Sequence, residues 1–189
     1  MKKVWLLGDS IRMIGYGPRM QALLGDGYEV HQSEDNGRFA KYTLRFLFDS
    51  REEMKNTDII HWNNGLWDTS TGLFDDGLPF TCEQEYVENM LRIARELKKI
   101  TPHVIFATTT PVNPDYRYNS NAVIRQYNGA LVPKLQEMGI VINDLHSLVA
   151  PDIGRYICDD QLHLSEEGAK LCAEQVAQMI RKCDADVSV

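Results

Sequence analysis

Val4-Trp5-Leu6-Leu7-Gly8-Asp9-Ser10 carries the reading of the fold: four apolar residues in a row, then a glycine, a carboxylate and a hydroxyl. A short apolar run with no polar alternation reads as a strand buried on both faces, the usual condition of a parallel sheet. Working outward, similar runs recur at Tyr28–His31, Asp58–Trp62, Val104–Ala107 and Ile140–Ile142. The last three end in polar or turn-forming residues: Asn63-Asn64-Gly65, Thr108-Thr109-Thr110-Pro111 and Asn143-Asp144.

Helical patterns lie between the runs. Pro18–Leu24 is helix-compatible and is stopped by Gly25 and Gly27. Thr81 can cap a helix with Gln84 as its capping-box partner, and Val87, Met90, Leu91, Ala94 and Leu97 then recur at helical spacing. Ile124, Tyr127, Leu131, Leu135 and Met138 form a second stripe, which Pro133 is expected to kink or break. Ser165 can cap a last helix, with Glu166 and Glu167 at its positive end and Cys172, Val176, Met179, Ile180 and Cys183 as its stripe. Strands alternating with helices predict an α/β fold: a three-layer α/β/α sandwich around a five-stranded parallel sheet, one domain over 1–189. In such sheets ligands bind beyond the carboxyl ends of the strands. That rule selects Gly8-Asp9-Ser10, the segment around Asn36-Gly37, Asn63-Asn64-Gly65 and Thr110-Pro111.

Composition narrows the class without choosing a function. The 189 residues carry 20 Lys and Arg against 27 Asp and Glu, a net charge of −7, with 43% apolar and 25% charged residues. These are the values of a folded globular chain, and the acidic balance argues against a nucleic-acid partner. After Met1-Lys2-Lys3 the apolar run is only Val4–Leu7, short of the roughly 7–15 residues of a secretory h-region. No stretch approaches the ~20 apolar residues that cross a membrane. The expectation is a cytoplasmic protein with no membrane partner, a removed leader being the alternative. Cys82, Cys158, Cys172 and Cys183 have no Cys-x-x-Cys spacing, and His31, His103 and His146 complete no metal pattern. His61, inside a strand, reads as a buried, satisfied histidine, and Asp75-Asp76-Gly77 as a turn rather than a calcium loop.

Two motifs carry chemistry. Ser10 follows the first strand, where it can stand at the sheet's rim near the free N–H groups of a following helix. A serine hydroxyl needs an adjacent base to act as a nucleophile. Asp160-Gln161-Leu162-His163 stands just before the last helix, and an Asp three residues before a His can curl back onto its Nδ1–H, leaving Nε2 free for the serine proton. Each motif alone is also a common turn; the ordered pair is far more specific.

Taken with Gly37 and Asn63-Asn64-Gly65-Leu66-Trp67-Asp68, that order resembles the GDSL-type hydrolases, the SGNH hydrolase superfamily, from Leu7 to the final helix. The resemblance implies a flavodoxin-like sheet and ester hydrolysis with Ser10 as nucleophile, His163 as base and Asp160 as its orienter. It also implies an oxyanion hole formed by the N–H groups of Ser10 and Gly37 and by an asparagine amide, with no metal or organic cofactor. The third block departs from the family's Gly-x-Asn-Asp: the chain reads Gly65-Leu66-Trp67-Asp68, with Trp67 at the asparagine's place. It resembles a subset in which an asparagine two residues before the glycine precedes Gly-Leu-His/Trp-Asp, which favours Asn63 over Asn64.

The expected function is a serine esterase acting on a small-molecule or carbohydrate ester, with short acyl chains and O-acetyl groups foremost. Tyr116-Arg117-Tyr118 could line its substrate site, and Gly72-Leu73-Phe74 could form an apolar lip. The alternatives are a lipase or lysophospholipase of the same fold, and a carbohydrate-binding protein that has lost turnover. A metal-dependent phosphatase is disfavoured by the scatter of acidic and His residues.

Overall fold

Alternation along the strands divides the apolar residues between two cores. In a computed structural model describing residues 1–187, the strands are β1 (Lys2–Gly8), β2 (Tyr28–Gln32), β3 (Ile59–Asn63), β4 (Val104–Ala107) and β5 (Val141–Asn143). All pairs are parallel, in the order β2-β1-β3-β4-β5. Val4, Leu6, Ile59, Ile105 and Ala107 face one core; Trp5, Leu7, Ile60, Trp62, Val104 and Phe106 face the other.

The helices are α1 (Met20–Leu24), α2 (Ala40–Asp49), α3 (Glu83–Ile100), α4 (Asn121–Glu137), α5 (Leu145–Val149), α6 (Ile153–Tyr156) and α7 (Glu166–Val187). The first core is closed by Met20 of α1, Leu145 and Val149 of α5, and Cys172, Val176 and Ile180 of α7. The second is closed by Leu47 of α2, Met90, Ile93 and Leu97 of α3, and Tyr127, Leu131 and Leu135 of α4. The sandwich expected from the sequence is therefore present, with the strand order of flavodoxin-like sheets. The chain leaves β1 towards β2 on one side and returns to β3 on the other, so the switch point lies between the ends of β1 and β3. The register Val4↔Ile59 through Gly8↔Asn63 brings those two ends level.

Several local expectations are corrected. α3 starts at Glu83 with Cys82 at its N-cap and no side-chain cap, so Thr81 and Gln84 form no capping box. Thr81 is instead tied to the third-block loop, its N–H donating to the Asp68 carbonyl. α4 runs unbroken through Pro133. Proline removes the bond to the carbonyl four residues back, here that of Gly129. Both residues are exposed, so the stranded carbonyl faces solvent rather than core. Ser165 does cap α7, its Oγ accepting from the Gly168 N–H at 3.1 Å. Helical segments beyond those expected from the sequence are α2, α5, α6 and a π-helical turn over Ile11–Tyr16 that runs through a 3-10 turn, Gly17–Arg19, into α1. Among the described residues no helix is long and apolar enough to cross a membrane.

Candidate active site

β1 and β3 approach closely only because Gly8 has no side chain. Its φ is 144°, and a Cβ there would stand 2.0 Å from Asn63 Oδ1. Immediately after it the chain winds around Asp9. The Asp9 carbonyl accepts from the N–H groups of Arg12 and Met13, at 3.1 and 3.0 Å. Its Oδ1 accepts from the Ile11 N–H at 3.0 Å and from Asn63 Nδ2 at 2.7 Å. Ser10 caps the π-helical turn with φ −61°, and its own N–H is left without an acceptor among these bonds. The serine is 8% exposed, so it lies at the bottom of a cleft rather than on an open rim.

The histidine that meets Ser10 comes from the other end of the chain. Ile157 bridges Leu164, and the Cys158 N–H donates to the His163 carbonyl at 2.8 Å, which closes a tight turn. Within it Gln161 has φ 70°, a left-handed conformation unusual for a side-chain-bearing residue. That reversal lets Asp160 Oδ1 accept from the N–H groups of Leu162 and His163, at 2.9 and 2.8 Å. Asp160 Oδ2 meets His163 Nδ1 at 2.6 Å, and His163 Nε2 meets Ser10 Oγ at 2.9 Å. Partial burial pushes the Asp160 carboxyl up. Hydrogen bonds from the backbone and ring of His163, from the Leu162 N–H and from Cys158 outweigh it and hold the group well below the ordinary carboxylate range. An ionised Asp160 fixes the proton of neutral His163 on Nδ1 and leaves Nε2 as the acceptor for the serine proton.

Beneath Ser10 lies a buried polar network that sequence reasoning missed. Asn143 Nδ2 lies 3.1 Å from His61 Nε2, and His61 Nδ1 lies 3.4 Å from the Tyr16 hydroxyl. The Tyr16 hydroxyl donates to Asn63 Oδ1 at 3.1 Å, and Asn63 then donates to Asp9. Burial lowers the His61 pKa to about 3, so the ring is neutral. His61 is thus the satisfied core histidine its strand position suggested. Arg12, also buried, spends its guanidinium on backbone carbonyls: Gly8 at 3.0 Å, Asp35 at 2.7 Å and Ser33 at 2.6 Å. The only sequence hint of this clamp is an arginine two residues after the serine, in a stretch that gives no helical signal.

Both auxiliary oxyanion donors expected from the sequence are committed elsewhere. The Gly37 N–H donates to the Gly8 carbonyl at 2.9 Å. A Cβ on Gly37 would lie 2.6 Å from that oxygen, so the glycine serves close packing of its loop on β1. Asn63 is buried and bound to Asp9 and Tyr16. Asn64 accepts from Trp62 Nε1 at 2.9 Å and donates to the Arg38 carbonyl at 2.9 Å.

Ser10 and His163 open into a cleft of about 360 Å³. Leu66, Trp67, Leu73, Leu162, Tyr116 and Tyr118 line it, with Asn36, Ser70 and Asn119 as its other polar groups. Asn119 Nδ2 donates to the Leu66 carbonyl at 2.8 Å, fixing the loop that carries Trp67. Tyr116, Tyr118 and Leu73 therefore reach the cleft as their loops suggested, whereas Phe74 is two-thirds exposed and Arg117 stacks over Tyr118.

No family model matches the chain. A GDSL esterase/lipase of Oryza sativa subsp. japonica is 27% identical over 167 residues, covering 80% of this chain and 64% of that protein. An acetylxylan esterase of Xylanibacter ruminicola is 26% identical, covering 92% of this chain and 40% of that protein. The chain thus spans less than two thirds of the length of these curated relatives. Among solved structures, a lipase/acylhydrolase from Enterococcus faecalis superposes with a TM-score of 0.78 at 19% identity, covering 96% of each chain. An acetylxylan esterase from Geobacillus stearothermophilus superposes with a TM-score of 0.73 at 15% identity, over 95% of this chain and 94% of that one. These sequence relatives, the fold and the ordered blocks from Gly8-Asp9-Ser10 to Asp160-x-x-His163 agree in their likeness to the SGNH/GDSL-type hydrolases.

Proposed function

We propose that the protein is a carboxylic ester hydrolase that works through an acyl-enzyme on Ser10. The observation that carries this reading is the continuous line Asp160–His163–Ser10, with contacts of 2.6 and 2.9 Å, ending in the cleft. Ser10 Oγ attacks the ester carbonyl while His163 Nε2 takes its proton. Asp160 keeps the ring in the tautomer that can do so and stabilises the imidazolium that forms. The Ser10 N–H, at the start of a helical turn, donates to the developing oxyanion. His163 then protonates the leaving alkoxide, activates a water against the acyl-enzyme, and finally returns the proton to Ser10.

The substrate we assign is a short acyl ester, with an O-acetyl group on a carbohydrate as the first choice. A small cleft suits a short acyl chain. Trp67, 42% exposed at its edge, offers an apolar face to a sugar ring. The Xylanibacter relative is itself named an acetylxylan esterase. The leucine walls, Leu66, Leu73 and Leu162, favour the second reading, a lipase-type hydrolase with longer acyl preference.

A fluorophosphonate probe tests the chemistry. Wild-type protein is expected to be labelled on Ser10 and to hydrolyse p-nitrophenyl acetate, while Ser10→Ala takes no label and loses hydrolysis by about 10⁶-fold, as for the nucleophile of subtilisin. Undiminished hydrolysis in Ser10→Ala would remove the mechanism. A rate rising steadily from acetyl to octanoyl esters would select the lipase reading.

A further inference from the structure

An oxyanion held by the Ser10 N–H alone is under-stabilised, and the other donors suggested by the sequence are engaged. The Gly37 N–H is bonded to the Gly8 carbonyl. The Asn63 and Asn64 amides are bonded to Asp9 and to the Arg38 carbonyl, and neither side chain lines the cleft. We propose that the side-chain amide of Asn36 is the second oxyanion donor, a role that rests on the ester-hydrolase reading above.

Three observations converge on this residue. First, Asn36 lines the same cleft as Ser10 and His163. Second, its amide orientation is determined. Oδ1 accepts from the Arg38 N–H at 2.9 Å, a bond that only the oxygen end can make, so Nδ2 is the other end. Among the described residues Nδ2 has no acceptor of its own. Third, the backbone on either side is clamped to the strand end that bears the nucleophile. Arg12 Nη2 bonds both the Gly8 carbonyl, at 3.0 Å, and the Asp35 carbonyl, at 2.7 Å. On the other side the Gly37 N–H bonds the Gly8 carbonyl at 2.9 Å. Asn36 is therefore held between two residues locked onto Gly8, and Gly8 lies two positions before Ser10. A donor fixed in this way needs no reorganisation as charge develops, which is the condition for effective transition-state stabilisation. Arg38, at φ 47°, holds the left-handed turn that brings its N–H back to Asn36.

The test compares Asn36→Ala and Asn36→Asp with wild type in p-nitrophenyl acetate hydrolysis, fluorophosphonate labelling and thermal melting. Asn36→Asp is the discriminating variant, because its carboxylate still accepts the Arg38 N–H but has no N–H to give. Both variants are expected to lose about 10²–10³ in kcat, with KM changed little and Ser10 still labelled, more slowly. Wild-type kcat in either variant overturns the assignment, and full activity in Asn36→Asp beside a deficient Asn36→Ala reduces the residue to a turn former. Trp67→Phe removes the indole N–H at the cleft while keeping an aromatic wall, and is expected to act on KM; the remaining amide there, Asn119 Nδ2, is spent on the Leu66 carbonyl and Thr69. A kcat loss of about 10² there, with Asn36→Ala at wild-type kcat, moves the donor to Trp67 and overturns the proposal. An active wild type with an active Asn36→Ala sinks Asn36 alone; a wild type that neither labels nor hydrolyses sinks the ester-hydrolase reading and Asn36 with it.

Discussion

Ser10 and His163 meet across 2.9 Å, yet the two sides of that contact are held in opposite ways. Ser10 rests on a buried network assembled from distant parts of the chain: Asp9, Arg12 and Tyr16 after β1, the loop 33–37 after β2, Asn63 on β3 and Asn143 on β5. His163 sits on a short turn, Ile157–Leu164, tied from outside by the Asn113 N–H at the Gln161 carbonyl, and its aspartate binds groups only two and three residues away. One side is rigid because many elements agree; the other because one short segment folds back on itself. Buried hydrogen bonds of the first kind are costly to leave unmade, while near-surface ones of the second kind contribute little to global stability. Stability and chemistry should therefore separate when each side is perturbed.

The largest expected effect falls on the base turn. Asp160→Asn keeps an oxygen for the Leu162 and His163 N–H groups but stabilises the wrong imidazole tautomer. Turnover of p-nitrophenyl acetate should fall by about 10⁴-fold, with a melting temperature close to wild type. A large loss of thermal stability would show that the turn is not the local unit described above.

Next comes a pH effect confined to the buried side. The Asp68 carboxylate accepts from the Ala40 N–H at the start of α2, at 3.0 Å. Burial pushes its pKa from 3.8 up to about 7, against the pull of Thr81 and the Ala40 N–H. Between about pH 4 and 7 the folded chain thus holds a proton that the unfolded chain has lost, so stability falls as pH rises through that window. Outside it, both states are protonated or both ionised, and Asp68 adds no further slope. At roughly 1.4 kcal/mol per pH unit the loss reaches about 4 kcal/mol. Urea unfolding across this range, compared with Asp68→Asn, measures it: the variant should lose that part of the slope. An identical slope in the variant would place the titration elsewhere.

The smallest effect sharpens the contrast. Tyr16→Phe leaves Asn63 Oδ1 without its donor, at a cost of about 1–3 kcal/mol in unfolding free energy. The kcat should fall less than about tenfold, because Asp9 keeps its bonds from Ile11 and Asn63. A kcat loss beyond 10²-fold with unchanged stability would mean that the network tunes the reaction rather than holding the nucleophile's turn.

The same contrast explains what the sequence disclosed. The Asp160-x-x-His163 turn was legible because everything it needs lies within a few residues. The strands were legible because Val4–Leu7 and Val104–Ala107 are buried on both faces and leave unmixed apolar runs, and Ile59–Trp62 is interrupted only by the buried His61. The Ile11–Tyr16 turn was not, since Gly15, Gly17 and Pro18 read as breakers, and its helical form depends on packing against α7 and on the bonds to Asp9. Nor could spacing show that Gly37 and Asn63 spend their donors on Gly8 and Asp9, because those bonds depend on how closely two strand ends approach. The block pattern located the site, and the division of labour among its amides was decided by tertiary contacts.

The Ser10–His163 contact joins residues 153 positions apart. It is bracketed by Gly15, where a Cβ would lie 3.1 Å from Leu164, and by the Arg19–Glu166 ion pair at 2.5 Å. All of these close only when α7 docks against the first turn of the chain. The Ser10–His163 arrangement is therefore a property of the finished tertiary structure rather than of the sheet. A molecule whose last helix has detached keeps one apolar core intact but loses that contact, so under the proposed mechanism hydrolysis would report local opening of that seam before the fold itself is lost.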